Sequence, residues 1–336
     1  MNTSKDFQFV LNALQGAGKD FPRRYLRHFS DLGALELQTV LEVWPRVNLN
    51  RKLSLLEGLE SLLEADTLVS FDDFARALLN DPDAPVRVHA LRLLGECEDV
   101  KLIPTYIHLL KHDTDVNVRA EAARALNLFV DLGELEEIPE KAHRQVEDAL
   151  LEAVDGEDDA NVRRYALESL GFSSRPEVVE LIESAFERKD PAWKVSALIA
   201  MGRSADDRWD DYVVSALLDE NDDIRKAAVQ SAGELSLKSA RKILLQMLEE
   251  EENDEILSAA IWSLSQIGGE DVRTYLESML DQTDDEDQME FLEDALDNLA
   301  FTEDLARFDL MAFDPESVED LIKEDEEDED NGHNRK

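Results

Sequence analysis

The chain has 336 residues, of which 43% are apolar and 34% charged, and its formal net charge is −43. The excess of 78 Asp and Glu over 35 Lys and Arg argues against a nucleic-acid partner, because phosphate binding needs clustered basic side chains. No stretch approaches the roughly 18 consecutive apolar residues of a membrane helix, so no membrane partner is predicted.

The N-terminal residues 1–47 predict a helical cap. A helix is expected over Asp31–Trp44, where Pro45 ends it. The first 51 residues carry seven Lys and Arg against five Asp and Glu, a net charge of +2. They lack the basic start and apolar run of a signal peptide. Together with the single cysteine, Cys97, this predicts a cytoplasmic protein in a reducing compartment.

From residue 48 to residue 312 one template recurs with a period near 32 residues, which predicts an array of about eight helix pairs. We count positions from a bulky residue at offset zero in the second helix of each pair. The offset-zero residues are Val86, Val118, Val162, Trp193, Ile224, Ile256 and Phe291. Alanine follows at offset four in all seven: Ala90, Ala122, Ala166, Ala197, Ala228, Ala260 and Ala295. A degenerate eighth copy precedes them, with Asn48 and Lys52 at the matching positions and Leu55 in place of alanine.

These positions have distinct physical roles. Offsets zero, four and eight fall on one stripe of a helix, so they predict the buried face, and the alanine lets neighbouring helices approach closely. Asp or Asn three places before offset zero predicts an N-cap, although the last copy has Gln288 there. Arg or Lys at offset one, as in Arg87, predicts ion pairs with acidic turns of the next pair.

The pattern D-P-D-A-P-V-R-V-H-A-L-R-L-L-G, residues 81–95, resembles the HEAT-like repeats first described in phycobilisome lyase proteins. The resemblance covers about residues 48–312. It implies an all-α fold, a right-handed α-solenoid whose second helices line a concave surface that holds other proteins.

The concave face is the predicted binding site, and offsets two, three and six should project into it. Tyr165, Ile199 and Trp262 are the expected anchors, since aromatic side chains dominate interface hot spots, although Tyr165 and Trp262 could instead pack into the stack. The candidate protein-binding residues are Arg92, Arg124, Tyr165, Glu168, Ile199, Gln230 and Trp262.

Catalytic and metal signals are weak. None of the six histidines is followed by Glu, so the iron-binding His-Glu motif of HEAT-like deoxyhypusine hydroxylases is missing. His108 and His112 are spaced for a helical zinc site, but the spacing supplies no third ligand. No cofactor, metal site or catalytic residue is therefore predicted. Two irregular segments remain secondary binding candidates: the insertion around Asp131–Lys141 and the segment Met201–Trp209, whose Trp209 is expected to anchor it to the stack.

The acidic tail, residues 313–336, is expected to be disordered, because the eleven acids and three bases from Asp314 to Lys336 cannot form a core. It favours either solubility or recruitment of a basic partner, and adaptation to a salty habitat would give the same sign of charge.

Three functions remain open at this point. The favoured one is a non-enzymatic scaffold or adaptor that binds a protein or peptide along the concave face. The others are an acidic chaperone or escort for a basic client protein, and a lyase-type enzyme subunit, which rests on repeat resemblance alone.

Overall fold

A computed structural model describes residues 5–16, 18 and 20–312 of the chain. Among these residues there are eighteen α-helices and no β-strand, as the all-α prediction requires. The helices of the first part are α1 (Lys5–Leu14), α2 (Ala34–Val43), α3 (Leu49–Ala65), α4 (Asp72–Leu78), α5 (Ala84–Leu93), α6 (Ile103–His112), α7 (Val116–Ala125), α8 (Asn127–Glu134), α9 (Glu140–Asp155), α10 (Ala160–Ser169) and α11 (Pro176–Phe186). Those of the second part are α12 (Pro191–Arg203), α13 (Asp210–Ala216), α14 (Asp222–Glu234), α15 (Arg241–Glu250), α16 (Asp254–Ile267), α17 (Glu270–Gln282) and α18 (Glu286–Ala312).

Short 3₁₀ helices accompany the α-helices. They span Arg23–Phe29, Trp44–Arg46, Val100–Leu102, Leu170–Phe172 and Asp207–Trp209. The predicted helix Asp31–Trp44 therefore corresponds to α2, and a 3₁₀ turn that contains Pro45 follows it.

The helices group into two compact units, Met1–Glu187 and Arg188–Lys336. In the first unit the second helices of successive pairs, α3, α5, α7 and α10, pack side by side in chain order. In the second unit α12, α14, α16 and α18 do the same. The stacking of helix pairs expected of an α-solenoid is thus present within each unit. The predicted cap and repeat boundaries at residues 47 and 312 stay predictions, and the tail from residue 313 lies outside the described residues.

The alanine at offset four forms the centre of this packing. All seven of these alanines are fully buried, with 0% exposure. The seven apolar residues at offset eight are buried with them: Leu94, Leu126, Leu170, Met201, Ala232, Leu264 and Leu299. A methyl side chain leaves room for the neighbouring helix, so the recurring alanine sets the distance between pairs.

Most of the predicted N-caps are present. The side chains of six residues accept a hydrogen bond from an amide in the first turn of the following helix: Asn48, Asp115, Asp159, Asp190, Asn221 and Asn253. Asp83 lies at the N-cap of α5 but makes no such bond, because its carboxylate pairs with Lys52 at 3.0 Å. Gln288, at the matching position of the last copy, is not an N-cap, since it lies inside α18 and its backbone amide donates to Asp285 Oδ1 at 3.0 Å.

The predicted ladder of cations is also present. Arg87 pairs with Asp113 at 2.7 Å and Arg119 with Asp158 at 2.6 Å in the first unit. In the second unit Lys194 pairs with Asp219 at 2.8 Å and Arg225 with Glu251 at 3.0 Å. Each cation is on a second helix and each acid is in the turn of the next pair, so the ladder links successive pairs. Its first rung, Lys52 with Asp81, is almost completely buried.

The insertion between the second and third pairs forms a helix of its own. The second helix that begins near Val118 ends at Ala125, and the chain continues after Leu126 as α8. Only residues 135–139 form the loop before α9, so most of the segment predicted as an irregular insertion is helical. Phe129, Val130 and Leu132 anchor α8 in the core.

Candidate interaction surface

The surface of the second helices in the second unit contains a groove with a volume of about 430 Å³. Three of the predicted binding residues, Ile199, Gln230 and Trp262, line it together. They come from α12, α14 and α16 at the same offset of six, so the stacking of equivalent helices places them side by side. Trp262 is 40% exposed, and Gln230 is also exposed, while Ile199 is half-buried.

A second row of groove residues lies one helical turn further along. Arg203, Glu234 and Gln266 occupy offset ten of the same three helices, and all three line the groove. From the sequence, Arg203 was included only as part of the candidate segment Met201–Trp209, and Glu234 and Gln266 were missed. The signal was available, because positions four residues apart on a helix share a face, so offset six implies offset ten.

Glycine at offset nine makes room for this second row. A Cβ built at Gly202 would overlap the Glu234 carboxylate, and one built at Gly233 would overlap the side-chain amide of Gln266. The second helices therefore approach each other closely at these glycines. In each case the offset-ten side chain of one helix lies over the glycine of the preceding helix.

The electrostatics of the groove centre on Glu234. The residue as a whole is exposed, yet its carboxyl group lies against Gly202, and this desolvation raises the pKa of Glu234 above its usual value. The positive charge of Arg203 opposes the rise. Phe291, at offset zero of α18, also lines the groove and is only half-buried, although its position predicts a core residue. The groove thus combines two aromatic side chains with amide and charged groups.

The remaining predicted residues lie on the second helices of the first unit. The Arg124 guanidinium stacks on the Tyr165 ring, 5.1 Å from its centroid, and Arg92 donates to Glu121 at 3.2 Å. Arg92 and Arg124 are exposed and Tyr165 is half-buried, so these three present a basic and aromatic surface. Glu168 is different, because it is only 7% exposed and adds little to this surface.

The segment Met201–Trp209 is held against the second unit, as predicted. Trp209 is 1% exposed, and Arg208 pairs with Asp206 at 2.6 Å. None of the helices in the described part of the chain combines the length and apolar composition needed to span a bilayer.

The repeat architecture agrees with a comparison to known families. A model of HEAT repeats matches residues 72–142, 147–231 and 211–296. The chain belongs to the HEAT-repeat family. No curated protein sequence matches this HEAT-repeat protein.

Several solved structures are similar to the chain at low identity. YibA of Escherichia coli is 16% identical, with a TM-score of 0.42 over 89% of this chain and 98% of that one. The CpcE–CpcF complex of phycocyanin lyase from Nostoc sp. PCC7120 is 18% identical, with a TM-score of 0.46 over 68% and 94%. Importin beta is 12% identical, with a TM-score of 0.44 over 87% and 46%. All three TM-scores are below 0.5, so the family assignment rests on the HEAT-repeat model alone.

Proposed function

We propose that this HEAT-repeat protein is an interaction scaffold that holds a polypeptide segment in the groove of its second unit. The fold commonly serves as a protein-interaction scaffold, and the groove lies on its second helices. The proposed partner is a protein or peptide with at least one apolar side chain. The cytoplasmic location inferred from composition stays a prediction.

The exposure of Trp262 carries the proposal. An indole that is 40% exposed leaves a large apolar surface in water, and burying such surface stabilises a complex by about 25 cal/mol per Å². Ile199 and Phe291 line the same groove, so they offer further apolar surface to the partner. Tryptophan is also the residue type most enriched among interface hot spots.

The polar groups of the groove suit a peptide backbone. The side-chain amides of Gln230 and Gln266 each offer a donor and an acceptor, which matches the N–H and C=O groups of an extended segment. Arg203 and Glu234 add one charge of each sign. The groove can therefore hold a segment by side-chain burial and backbone hydrogen bonds together.

The test is site-directed photo-crosslinking in cells, with a photoreactive residue in place of Gln230. We expect a defined crosslinked protein that disappears, or falls at least about tenfold, when Trp262→Ala is added, in line with a hot-spot loss above about 1.4 kcal/mol. Leu68→Ala is the matched control, since Leu68 is 89% exposed and lies in the other unit. Equal crosslinking in the Trp262→Ala and Leu68→Ala variants would contradict the proposal.

A second candidate, an escort for a basic client, is supported by the charge distribution. Residues 249–300 contain eighteen Asp and Glu against the single Arg273, a net charge of −17. Within this stretch α16 and α17 expose several acids, including Asp254, Glu255 and Glu277. Such a surface attracts basic chains at long range.

The two candidates respond differently to salt. An escort held by charge should lose most of its client when NaCl rises from about 0.05 M to about 0.5 M, because the Debye length falls below about 5 Å. A segment held by Trp262 should be retained. Deletion of residues 314–336 tests whether the tail contributes, and unchanged binding after both treatments would exclude the escort function.

A further inference from the structure

The insertion after the second helix pair brings three metal-ligating side chains together in the first unit. Glu134 is the last residue of α8, and His143 and Glu147 lie one turn apart on the same face of α9. One oxygen of each carboxylate and one nitrogen of the imidazole lie within 4.8 Å of one another. The five-residue loop between the two helices makes this possible, because it folds α8 back against α9.

Gly133 fits this arrangement. A Cβ built at position 133 would overlap the imidazole ring of His143, so only glycine allows the ring to lie against α8. The ring is consequently well enclosed, with 13% of the His143 side chain exposed. Its position places Nε2 between the two carboxylates.

The Nε2 atom of His143 is buried and has no hydrogen-bond partner. It lies 3.8 Å from Glu134 Oε1 and 3.7 Å from Glu147 Oε1. Both distances exceed the range of about 2.7–3.2 Å for N–H···O hydrogen bonds. A buried imidazole nitrogen without a partner carries a desolvation cost that a ligand between the three groups would remove.

The spacing suits a small divalent cation. Zinc binds imidazole nitrogen at about 2.0–2.1 Å and carboxylate oxygen at about 2.0–2.2 Å, so two ligands of a tetrahedral ion lie roughly 3.4 Å apart. The two distances from Nε2 to the carboxylate oxygens exceed this value by only a few tenths of an ångström, and the two carboxylate oxygens, within 4.8 Å of each other, would move together around the ion. Glu147 is 5% exposed and Glu134 26%, so the open side of the cluster lies at Glu134.

Both carboxylates are oriented from outside the cluster. The Ser173 hydroxyl donates to Glu147 Oε1 at 2.5 Å, and the Ser174 amide donates to Glu134 Oε1 at 2.8 Å. Hydrogen bonds of this kind fix the ligands of metal sites. Each oxygen keeps a second lone pair for a cation.

One positive charge lies nearby. Arg175 Nη1 is 3.9 Å from Glu147 Oε2, whereas the oxygen of Glu147 near His143 is Oε1. Arg175 is itself paired with Asp148 at 2.7 Å and Glu177 at 3.0 Å. These two acids offset most of its repulsion toward a bound cation.

We propose that Glu134, His143 and Glu147 form a binding site for a divalent transition-metal ion, with Zn²⁺ the best fit to one imidazole and two carboxylates. The ion completes its coordination with water on the Glu134 side. Its effect is to fasten the inserted helix α8 to α9 and to the serines that follow α10. The site is independent of the groove in the second unit.

The test is calorimetric titration of the chelator-treated full-length protein with Zn²⁺, supported by the visible absorption of the Co²⁺ form. We expect one site per chain, and a loss of affinity of at least about 100-fold in His143→Ala, since removing a group that only hydrogen-bonds to a ligand already costs about 10–100-fold. Ser173→Ala removes a hydrogen bond to Glu147 and should weaken Zn²⁺ binding by about 10–100-fold. His108→Ala is the matched control, because His108 and His112 form a histidine pair on α6 outside the cluster.

Three results would overturn the site: no Zn²⁺ binding by the wild type, equal binding by His143→Ala, or a loss of binding in His108→Ala. Circular dichroism of each metal-free variant shows whether it is folded. Glu147→Gln provides a second ligand variant of the same size, and it should also lose the Co²⁺ spectrum.

Discussion

Gly233 shows how closely the second helices approach. A Cβ at this position would lie 2.8 Å from both Cα and Cβ of Ser263 on the neighbouring helix, closer than such atoms pack. At an exposed position inside a helix, alanine in place of glycine stabilises the helix by roughly 1 kcal/mol. We expect the opposite for Gly233→Ala, a loss of about 1–3 kcal/mol in the free energy of unfolding, because the helices must separate.

Urea unfolding of the full-length protein measures this loss. Gln230→Ala is the control on the same helix, since Gln230 is exposed and its change should stay within about 0.5 kcal/mol. If Gly233→Ala were as stable as the wild type, α14 and α16 would have to adjust without cost, and the offset-nine glycine would have no packing role.

Tyr106 presents a different case, a buried hydroxyl group that forms no hydrogen bond. Its side chain is 0% exposed, its hydroxyl has no hydrogen-bond partner, and burial raises the pKa of Tyr106 above its usual range. We expect Tyr106→Phe to leave the stability unchanged or raise it by up to about 1 kcal/mol, because an unsatisfied hydroxyl is costly to bury.

The test is to measure the stabilities of Tyr106→Phe and Ser231→Ala by thermal unfolding and to compare them. The Ser231 hydroxyl donates to the Leu198 carbonyl at 2.7 Å, so its removal should cost about 1 kcal/mol. A loss of that size in Tyr106→Phe would mean that the Tyr106 hydroxyl is hydrogen-bonded in solution.

Among the elements, the first rung of the cation ladder joins α3 to the turn before α5. Lys52 lies 3.3 Å from Asp81 and the Trp44 indole donates to Asp81 at 2.6 Å, with the Lys52 and Asp81 side chains only 4% and 3% exposed. We expect Lys52→Met to lower the free energy of unfolding by about 3–5 kcal/mol, because it leaves a carboxylate buried without a counter-charge.

Two further variants check the cause. Adding Asp81→Asn should recover part of the loss, since the neutral amide oxygen can still accept from Trp44 and carries no charge. Arg208→Ala removes an exposed pair and should cost no more than about 1 kcal/mol. If Lys52→Met and Arg208→Ala had equal effects, burial would not determine the strength of these pairs.

The later rungs make stability depend on pH. Burial opposes ionisation of Asp113, but hydrogen bonds from Arg87 and the Asp115 amide outweigh it and lower the pKa of Asp113. The hydrogen bond from Arg119 lowers the pKa of Asp158, and that from Lys194 lowers the pKa of Asp219. Each of these aspartates has a lower pKa in the folded chain than in the unfolded chain, so its ionised form stabilises the fold. This stabilisation is fully present above about pH 4, roughly the unfolded pKa, and it is lost as the pH falls through the folded pKa.

Urea unfolding at a series of pH values between about 6 and about 3 tests this expectation. The free energy of unfolding should fall at the acid end, and it should fall less steeply in Arg119→Gln, which removes the partner of Asp158. An identical acid slope in this variant and the wild type would show that Asp158 titrates alike in the folded and unfolded chain.

How much the sequence predicted depends on whether a feature repeats. The buried alanines, six N-caps and the ladder follow from local rules applied once per pair, so one strong copy such as Val86–Leu94 predicts the others. The last copy departs from the pattern, because Asp285, three residues before Gln288, caps α18. The cluster at His143 was not predictable, since its ligands come from an insertion that no other pair contains.

The groove was predicted only in part for a related reason. Offset six named Ile199, Gln230 and Trp262, which line the groove. Offset ten shares that face, but the positions of Glu234 and Gln266 over the glycines of the preceding helices follow from helix packing and not from one helix alone. Burial of Glu168 likewise depends on its neighbours, and the same offset exposes Arg92 and Arg124.

For the molecule as a whole, the distribution of charge separates the two surfaces described above. The first unit presents Arg92 and Arg124 beside Tyr165, whereas the second presents its groove next to the stretch with a net charge of −17. Partners of opposite charge would be drawn to different units. The chain has a net charge of −43, so its acidic side chains also repel one another within each folded unit.

This self-repulsion gives a prediction for the intact protein. We expect the midpoint of thermal unfolding to rise by a few degrees as NaCl increases from about 10 mM to about 150 mM, because the Debye length falls from about 30 Å to about 8 Å. Salt also weakens ion pairs, but the ladder pairs are partly buried and are screened less. Replacing the exposed Glu249, Glu250 and Glu252 by Gln changes the net charge from −43 to −40 and should make the rise smaller. A midpoint that falls with salt would instead mean that attraction within the ladder exceeds the repulsion among the unpaired acids.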